Sequence, residues 1–247
     1  MRQCVGDCLR SGRLCSGVQA MREEKINILS LFSGTHSWTW LFENNPKYNV
    51  ISIDLEYLYP NTICRNILTW DYMNDNILKD IKIDIIFASP PCNLYFTHLK
   101  KQKGMCIYTE NDRKTSLMLV DKTIEIIKSL LPRYWTIENS VGKMRWYYPV
   151  ILGCKYRTID YCMYGMRYKK PTDMWSNIPF IPRRCEHGVH GYTVIDHPSS
   201  RKFQKYVKRG IINTEQYRAM IAPGFVKEIY NTVNKAVKVK TAPSATP

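Results

Sequence analysis

Apolar runs alternate with polar turns along the first part of the chain. Residues 26–32 (INILSLF), 49–55 (NVISIDL) and 83–88 (IDIIFA) are runs typical of buried parallel strands, and residues 134–137 (YWTI) form a shorter one. Residues 113–131 carry apolar side chains at spacings of three and four, which predicts a helix with one buried face. This alternation predicts an α/β fold built on a doubly wound parallel sheet.

The alternating pattern defines a main domain at residues 21–178, and the other segments differ from it in composition. Residues 1–20 lack periodicity, and MREEKINILSLF resembles a natural start at Met21, so we expect residues 1–20 to be a disordered extension. Residues 179–222 are rich in Pro, Gly, His and Arg and predict a small irregular region. Residues 223–237 predict a terminal helix that returns to the main domain, and residues 238–247 predict a disordered tail.

The charge balance points to a polyanionic partner. The chain has 36 Lys and Arg against 21 Asp and Glu, a formal net charge of +15, and phosphate contacts by basic side chains dominate nucleic-acid affinity. The 17 Tyr and 6 Trp add stacking surfaces. We therefore expect a nucleic-acid partner, against the alternative of a basic protein that is merely soluble.

The sequence predicts a soluble, intracellular monomer. No window approaches the roughly 20 apolar residues of a membrane span, and the N-terminus lacks the apolar run of a signal peptide. The nine cysteines are scattered through a chain unlike a short disulfide scaffold, so we expect most of them to be reduced.

Each predicted strand runs into a polar cluster. In chain order these clusters contain Gly34, Asp54, Cys92 and Glu138. In open α/β sheets, ligands bind beyond the carboxyl ends of the strands. We therefore expect these four residues to surround one cleft.

The first two clusters, together with Asp71, have the chemistry of a cofactor site. Gly34 lets the backbone approach a ligand closely, and Asp54 can bind both ribose hydroxyls of an adenosine. Asp71 follows the next short apolar stretch and can reach an adenine amino group. The structural alternatives are a plain turn at Gly34, a helix N-cap at Asp54 and a solvated loop at Asp71.

The last two clusters have the chemistry of nucleophilic catalysis. In residues 89–93 (SPPCN), two prolines fix the backbone beyond the strand, so that Cys92 projects at the sheet edge. Glu138 is expected on the same edge. A thiolate beside a carboxyl group can attack an electron-poor ring while the acid protonates it. The structural alternative for Cys92 is a small core side chain.

Taken together, these motifs resemble the cytosine-5 DNA methyltransferase family in its compact viral or phage form. The ordered set is LFSG, SID, WD, SPPCN, IENSVG and YGMRYKKPTDMW, and the resemblance covers residues 26–177. It implies a Rossmann-like methyltransferase fold in which residues 21–178 bind S-adenosylmethionine and residues 179–222 form a reduced target-recognition region. It implies DNA as the partner.

The resemblance also assigns site residues. Cys92 matches the nucleophile, and Glu138 matches the residue that contacts cytosine N3. The cofactor contacts are expected from Phe32, Ser33, Gly34, Asp54 and Asp71. The substrate contacts are expected from Asn139, Arg167, Lys169 and Lys170.

The chain departs from the family pattern in three places. It has FSGTHS where the family usually has a glycine-rich FxGxGG. After YG, where the family usually places a glutamine and two arginines near the flipped base, the candidates here are Arg167, Lys169 and Lys170. Lysine does not reproduce the bidentate fork of arginine. Near the C-terminus, AMIAPGFVK replaces the usual asparagine-valine motif.

Several alternatives stay open at the level of sequence. They are cytosine methylation in RNA by the same chemistry, amino methylation of adenine, for which position 92 lacks the aromatic ring of that motif, and a degenerate protein that binds without catalysis. Cys185, His187 and His190 form either a plain polar loop, with no metal, or three ligands of a zinc site whose fourth ligand lies elsewhere.

Overall fold

A computed structural model describes residues 25–57, 59–60, 62–91, 101–102, 105–106, 109–166, 169–186, 217 and 219–241. The strands are β1 (Ile26–Leu31), β2 (Tyr48–Asp54), β3 (Thr62–Cys64), β4 (Ile85–Ala88), β5 (Lys101–Gln102), β6 (Met105–Cys106), β7 (Tyr134–Ser140), β8 (Val150–Ile151), β9 (Cys154–Lys155), β10 (Arg157–Asp160) and β11 (Pro171–Ser176). The helices are α1 (Trp40–Glu43), α2 (Glu110–Leu130), α3 (Met144–Tyr147), a 3₁₀ helix (Tyr161–Tyr164) and α4 (Pro223–Thr241). The extension at residues 1–20 and most of the tail lie outside these ranges.

Seven strands form the main sheet, in the order β10-β11-β7-β4-β1-β2-β3. The five strands from β7 to β3 are parallel, whereas β11 is antiparallel to both β7 and β10. From β1 the chain builds the sheet first towards β2 and β3 and then, on the other side, towards β4 and β7. The connections from β1 and β4 therefore leave in opposite directions and open a crevice beyond the carboxyl ends of these two strands. This topology confirms the predicted doubly wound α/β fold.

The strand side chains alternate between two cores, one on each face of the sheet. On β4, Phe87 packs into the core covered by α1 and α4, while Ile86 packs into the core covered by α2. Ile28 and Leu29 divide in the same way on β1. Because both faces are covered, these strands are apolar at successive positions, which is why their sequences read as continuous runs.

Helix α2 begins three residues before the predicted start, because a capping box extends it. The Thr109 hydroxyl accepts from the Asp112 N–H, and the Asp112 carboxylate accepts from the Thr109 N–H at 2.7 Å. These two bonds satisfy donors that a helix N-terminus otherwise leaves free. The helix therefore starts at the polar residues that precede its apolar stripe.

Strand β7 is longer than the sequence predicted. The apolar run ends at Ile137, but the strand continues to Ser140 because β11 pairs with it, Asp173 opposite Asn139 and Met174 opposite Glu138. Neither β10 nor β11 was expected from the hydrophobic pattern. Glu138 and Asn139 consequently lie within a strand and not in the loop that follows it.

A buried ion pair ties α3 to this added part of the sheet. Asp173 is 1% exposed, and Arg145 donates to it from Nε at 2.8 Å and from a terminal nitrogen at 2.5 Å. The Thr158 hydroxyl donates to the same carboxylate at 2.7 Å. These bonds hold the segment after β7 against β10 and β11.

Helix α4 packs across the start of the domain. Asn45 donates to the Tyr230 hydroxyl at 2.8 Å, and the Tyr48 hydroxyl donates to Asn234 at 2.7 Å. Gly224, in the first turn of α4, lies so close to the 3₁₀ helix that a Cβ atom there would be 2.7 Å from the Tyr164 carbonyl oxygen. In the described part of the chain, no helix combines the length and apolar character needed to cross a membrane.

Candidate active site

Four of the polar clusters meet at the carboxyl edge of the sheet. The pairing register sets the last residues of β1, β2 and β4 level with the middle of β7, because Leu31 pairs with Ala88 and Ala88 pairs with Ile137. Asp54 on β2, Phe32 after β1, Ser89 after β4 and Glu138 on β7 therefore form one row along this edge. Pro90 is buried and Pro91 is exposed. The expected nucleophile, Cys92, lies just outside the described residues, as does Arg167.

The loop after β1 has a left-handed backbone at alternate positions. Phe32 has φ 56°, Gly34 has φ 46° and His36 has φ 54°. A Cβ atom on Gly34 would meet only the Phe32 carbonyl oxygen, at 3.9 Å, so glycine is favoured there by conformation and not by lack of space. The loop is fastened to β2, since the Gly34 N–H donates to Asp54 Oδ2 at 2.8 Å.

Two hydroxyl groups in this loop are buried without a hydrogen-bond partner among the described residues. They are the side-chain oxygens of Ser33 and Thr35. Buried hydroxyls are normally paired, and an unpaired one is costly. A polar ligand that enters the loop would satisfy both.

His36 locks the same loop to its surroundings. Its Nε2 atom lies 2.7 Å from the Thr62 hydroxyl and its Nδ1 atom lies 3.1 Å from Glu43 Oε1, which also accepts from the Thr39 hydroxyl at 2.6 Å. Burial tends to raise the pKa of Glu43, but the hydrogen bonds from His36 and Thr39 lower it. Sequence reasoning noted the missing glycine at position 36 but missed this role.

The two acidic residues expected to bind adenosine differ in environment. Asp54 is half-buried, and its second oxygen accepts from the Glu56 N–H at 3.3 Å. Asp71 is exposed, accepts from the Asn74 side chain at 2.9 Å, and lines an open groove that also contains Arg65. The Arg65 N–H donates to the Asp54 carbonyl oxygen at 2.8 Å, so the groove adjoins the end of β2.

Glu138 is buried, with 6% exposure, among groups that orient its carboxylate. The Tyr161 hydroxyl donates to Oε1 at 3.2 Å, and Lys170 Nζ lies 3.9 Å from the same oxygen. The Lys170 ammonium also stands over the Tyr161 ring, 4.8 Å from its centroid. Sequence reasoning placed Lys170 at the substrate and missed Tyr161; Lys169 is partly exposed beside it.

Asn139 connects β7 to the segment that leads to the expected nucleophile. Its Nδ2 atom donates to the Pro90 carbonyl oxygen at 2.9 Å, and its Oδ1 atom is buried without a partner among the described residues. The Trp38 indole stacks on Phe87 at 4.9 Å and donates to the Ser89 hydroxyl at 3.0 Å. Both contacts fix the direction in which the chain leaves β4.

The three-residue zinc motif is only partly described. Cys185 is partly buried, while His187 and His190 lie outside the described residues. Within the ranges that the structure covers, no three His, Cys, Asp or Glu side chains converge in a way that could hold a metal ion.

The chain is similar to a viral protein and, more distantly, to solved methyltransferase structures. No protein-family model matches the chain. The chain is 34% identical over 169 residues to the probable DNA (cytosine-5)-methyltransferase of Frog virus 3 (isolate Goorha), a match that covers 65% of this chain and 75% of the relative.

The two structures are more distant. A putative DNA modification methyltransferase encoded within an E. coli prophage is similar at 16% identity and a TM-score of 0.44, over 62% of this chain and 46% of the other. The S. pombe Dnmt2 methyltransferase is similar at 15% identity and a TM-score of 0.41, over 62% and 49%. The matched part of this chain thus spans just under half of either structure. With 34% identity across three quarters of the viral relative, the chain belongs to the DNA (cytosine-5)-methyltransferase family.

Proposed function

We propose that this protein methylates carbon 5 of cytosine in DNA, with S-adenosylmethionine as the methyl donor and Cys92 as a transient covalent nucleophile. The observation that carries the proposal is the position of Glu138. Its buried carboxylate stands in one row with the loop after β1 and with the proline segment that precedes Cys92. A group that protonates a base and a nucleophile that attacks it must act from such a shared edge.

The residues around the loop after β1 fit S-adenosylmethionine, which would supply an electrophilic methyl group when bound. The unpaired hydroxyls of Ser33 and Thr35 offer hydrogen bonds to a polar ligand. The Asp54 carboxylate accepts two backbone N–H groups, yet a carboxylate has about four acceptor sites, which leaves capacity for ribose hydroxyls. Asp71 and the groove beside β2 would then hold the adenine.

The target cytosine must leave the duplex to reach this edge, because its ring is inaccessible inside the stack. The net charge of +15 supports binding of the phosphate backbone around it. Lys169 precedes Lys170 in the chain, is partly exposed, and is the described cation that we assign to the extruded nucleotide.

The proposed reaction begins when the Cys92 thiolate forms a bond to carbon 6 of cytosine. The electrons of the 5,6 double bond are then shared between carbon 5 and N3. Glu138 stabilises the charge that builds at N3 by sharing a proton with it. Carbon 5 then takes the methyl group. Loss of the proton from carbon 5 and expulsion of Cys92 restore the double bond.

Tyr161 and Lys170 act on this reaction through Glu138 and are therefore positioning residues. Their contacts at 3.2 and 3.9 Å hold the Glu138 carboxyl group in one orientation at the sheet edge. Asn139 acts in the same way on the backbone before Cys92, through its bond to Pro90.

A mechanism-based trap tests the proposal. DNA that carries 5-fluorocytosine should accept attack and methylation but has no proton to lose from carbon 5, so protein and DNA should stay joined through boiling in detergent. The adduct should require S-adenosylmethionine. Cys92→Ser should abolish it, because a serine hydroxyl is scarcely ionised at neutral pH, and Cys154→Ser should retain it.

The same assay separates the alternatives. An adduct with fluorinated RNA and not with DNA would assign the chemistry to RNA. A wild-type protein that binds DNA and cofactor but forms no adduct with either substrate would contradict the catalytic proposal. Asp54→Ala should weaken cofactor binding in calorimetry by about 1.5–3 kcal/mol, the value of hydrogen bonds to a charged group, and equal affinity would remove Asp54 from the cofactor site.

A further inference from the structure

Two adjacent aromatic side chains are exposed on α3, the short helix that follows β7. Trp146 is 68% exposed and Tyr147 is 44% exposed. Tyr147 lines a groove together with Arg113, Lys114 and Leu117 of α2. Contiguous exposed apolar groups on a protein surface mark binding sites. The aromatic pair therefore points to a partner.

The fold fixes the aromatic pair at the carboxyl edge of the sheet. Helix α2 ends just before the start of β7, so its first turns lie at the opposite edge, where β7 ends. The Tyr148 hydroxyl fastens the end of α3 to α2, because it donates to Asp121 at 2.8 Å. Arg145 fastens α3 to β11, because its Nε atom donates to Asp173 at 2.8 Å. The pair thus lies on the same edge as Glu138.

The charges around the aromatic pair favour an anionic partner. Lys114 is exposed and Lys143, which precedes α3, is partly exposed, and neither forms an ion pair with another described residue. The neighbouring anions are already bonded. The Glu110 carboxylate accepts from Arg113 Nε at 3.1 Å, and the Asp112 carboxylate closes the capping box of α2. Phosphates attract such lysines, and bases stack on exposed aromatic rings, so the surface matches a nucleic acid.

The sequence of this segment has the same character. Residues 141–159 contain four Lys or Arg, one Trp and three Tyr, and they contain no Asp or Glu. Two of the cations, Arg145 and Arg157, are hydrogen-bonded within the fold. Lys143 and Lys155 remain at least partly exposed. The segment therefore adds positive charge to this edge of the molecule.

We propose that the surface formed by Lys114, Lys143, Trp146 and Tyr147 binds the DNA beside the extruded cytosine. The lysines contact phosphates, and the rings stack on bases that lose a neighbour when the cytosine leaves the duplex. The inference rests on the proposed function for the choice of DNA, since the charges and rings alone fit any nucleic acid. It assigns a DNA contact to the proposed catalytic domain, outside residues 179–222.

The salt dependence of DNA binding tests the two lysines. Fluorescence anisotropy with a labelled duplex gives Kd at several salt concentrations, and the slope of log Kd against log salt falls by about 0.9 for each phosphate contact removed. Lys114→Ala and Lys143→Ala should each show this fall. Lys128→Ala is the matched control, because Lys128 is also exposed on α2 but lies about 21 Å further along the helix, towards the opposite edge of the sheet. Its slope should equal that of wild type.

The aromatic pair has a separate readout. Trp146→Ala should weaken binding about fivefold or more, the effect of losing one stacked base. Trp40→Ala, which alters an exposed tryptophan on α1 at the other face of the sheet, should bind as wild type. Cross-linking covers the case in which Trp146→Ala does not fold. Irradiation of the wild-type protein with duplex DNA that carries 5-iodouracil should link the DNA to a peptide containing Trp146 or Tyr147.

Wild-type slopes in both lysine variants, or wild-type affinity in Trp146→Ala with cross-links in other peptides alone, would overturn the proposal. Losses seen with RNA and not with DNA would assign the surface to RNA and overturn it as well. These measurements need neither cofactor nor fluorinated base, so they are independent of the covalent trap. A failed trap with reduced lysine slopes would leave this surface standing without the methylation proposal. A successful trap with unchanged slopes would remove this surface alone.

Discussion

Replacing His36 by glycine should destabilise the protein, although it removes an unfavourable backbone conformation. Two effects oppose each other at this position. The left-handed φ of 54° favours glycine, whereas the buried imidazole bridges Thr62 and Glu43. The outcome depends on which effect is larger.

The structure allows both to be estimated. The left-handed conformation costs an L-residue about 1–2 kcal/mol, which glycine avoids. Glycine loses about 0.5–1 kcal/mol of that gain, because its unfolded chain has more freedom to lose on folding. The bond at 2.7 Å to Thr62 contributes about 1 kcal/mol, and the bond to the charged Glu43 about 1.5–3 kcal/mol. Because the Glu43 side chain is 35% exposed, water replaces part of that bond and the lower figure applies. We therefore expect His36→Gly to lower the free energy of unfolding by about 2 kcal/mol.

Urea unfolding followed by tryptophan fluorescence measures this change, provided that the slope of the transition is unchanged. Asp80→Gly is the matched control, because Asp80 has φ 61° but is exposed. It should leave stability unchanged or raise it by up to about 1 kcal/mol. If His36→Gly were as stable as wild type while Asp80→Gly behaved in this way, the bridging role of His36 would be refuted.

Three further substitutions test other parts of the structure. Tyr161→Phe should slow methyl transfer about fivefold by freeing the Glu138 carboxyl group, with DNA binding unchanged, because one hydrogen bond contributes about 1 kcal/mol; an unchanged turnover number would contradict this. Arg145→Ala should cost about 3–5 kcal/mol in urea unfolding, because it leaves the Asp173 carboxylate buried with a single donor; a loss below about 1 kcal/mol would show that water replaces the guanidinium. Gly224→Ala should lower the melting temperature, because its methyl group would lie 2.7 Å from a carbonyl oxygen of the 3₁₀ helix; an unchanged melting temperature would show that α4 shifts freely.

The parallel part of the sheet was predictable because its strands are covered on both faces. A strand such as β1 then needs apolar side chains on both of its faces, and the mostly apolar run in the sequence marks it directly. The described polar residues that end these runs also lie at the expected edge, whereas Cys92 lies outside the described residues. Gly34 and Asp54, for example, are joined by a hydrogen bond of 2.8 Å.

The antiparallel strands and the role of His36 could not be predicted, because they depend on contacts between residues that are distant in the sequence. Strands β10 and β11 contain the buried carboxylates Asp160 and Asp173, whose partners lie elsewhere in the chain, so their polar sequences resemble loops. His36 reads as a departure from a glycine motif until Thr62 and Glu43 are seen beside it. Cys185 gives no sequence signal of its place beside β10, where its N–H donates to the buried Asp160 carboxylate at 2.7 Å.

The contact between α4 and the start of the domain determines when the protein can finish folding. During synthesis the N-terminal strand and helix leave the ribosome first, yet their outer face is completed by residues made nearly 200 positions later, as the pairs Asn45–Tyr230 and Tyr48–Asn234 show. The loop after β1 also waits for this event, because the Ile221 N–H donates to the Ser37 hydroxyl at 3.0 Å. A nascent chain that stops short of α4 exposes the apolar surface around Phe42, the kind of surface that chaperones bind. The loop proposed to hold the methyl donor is therefore completed only after Ile221 and α4 have been synthesised.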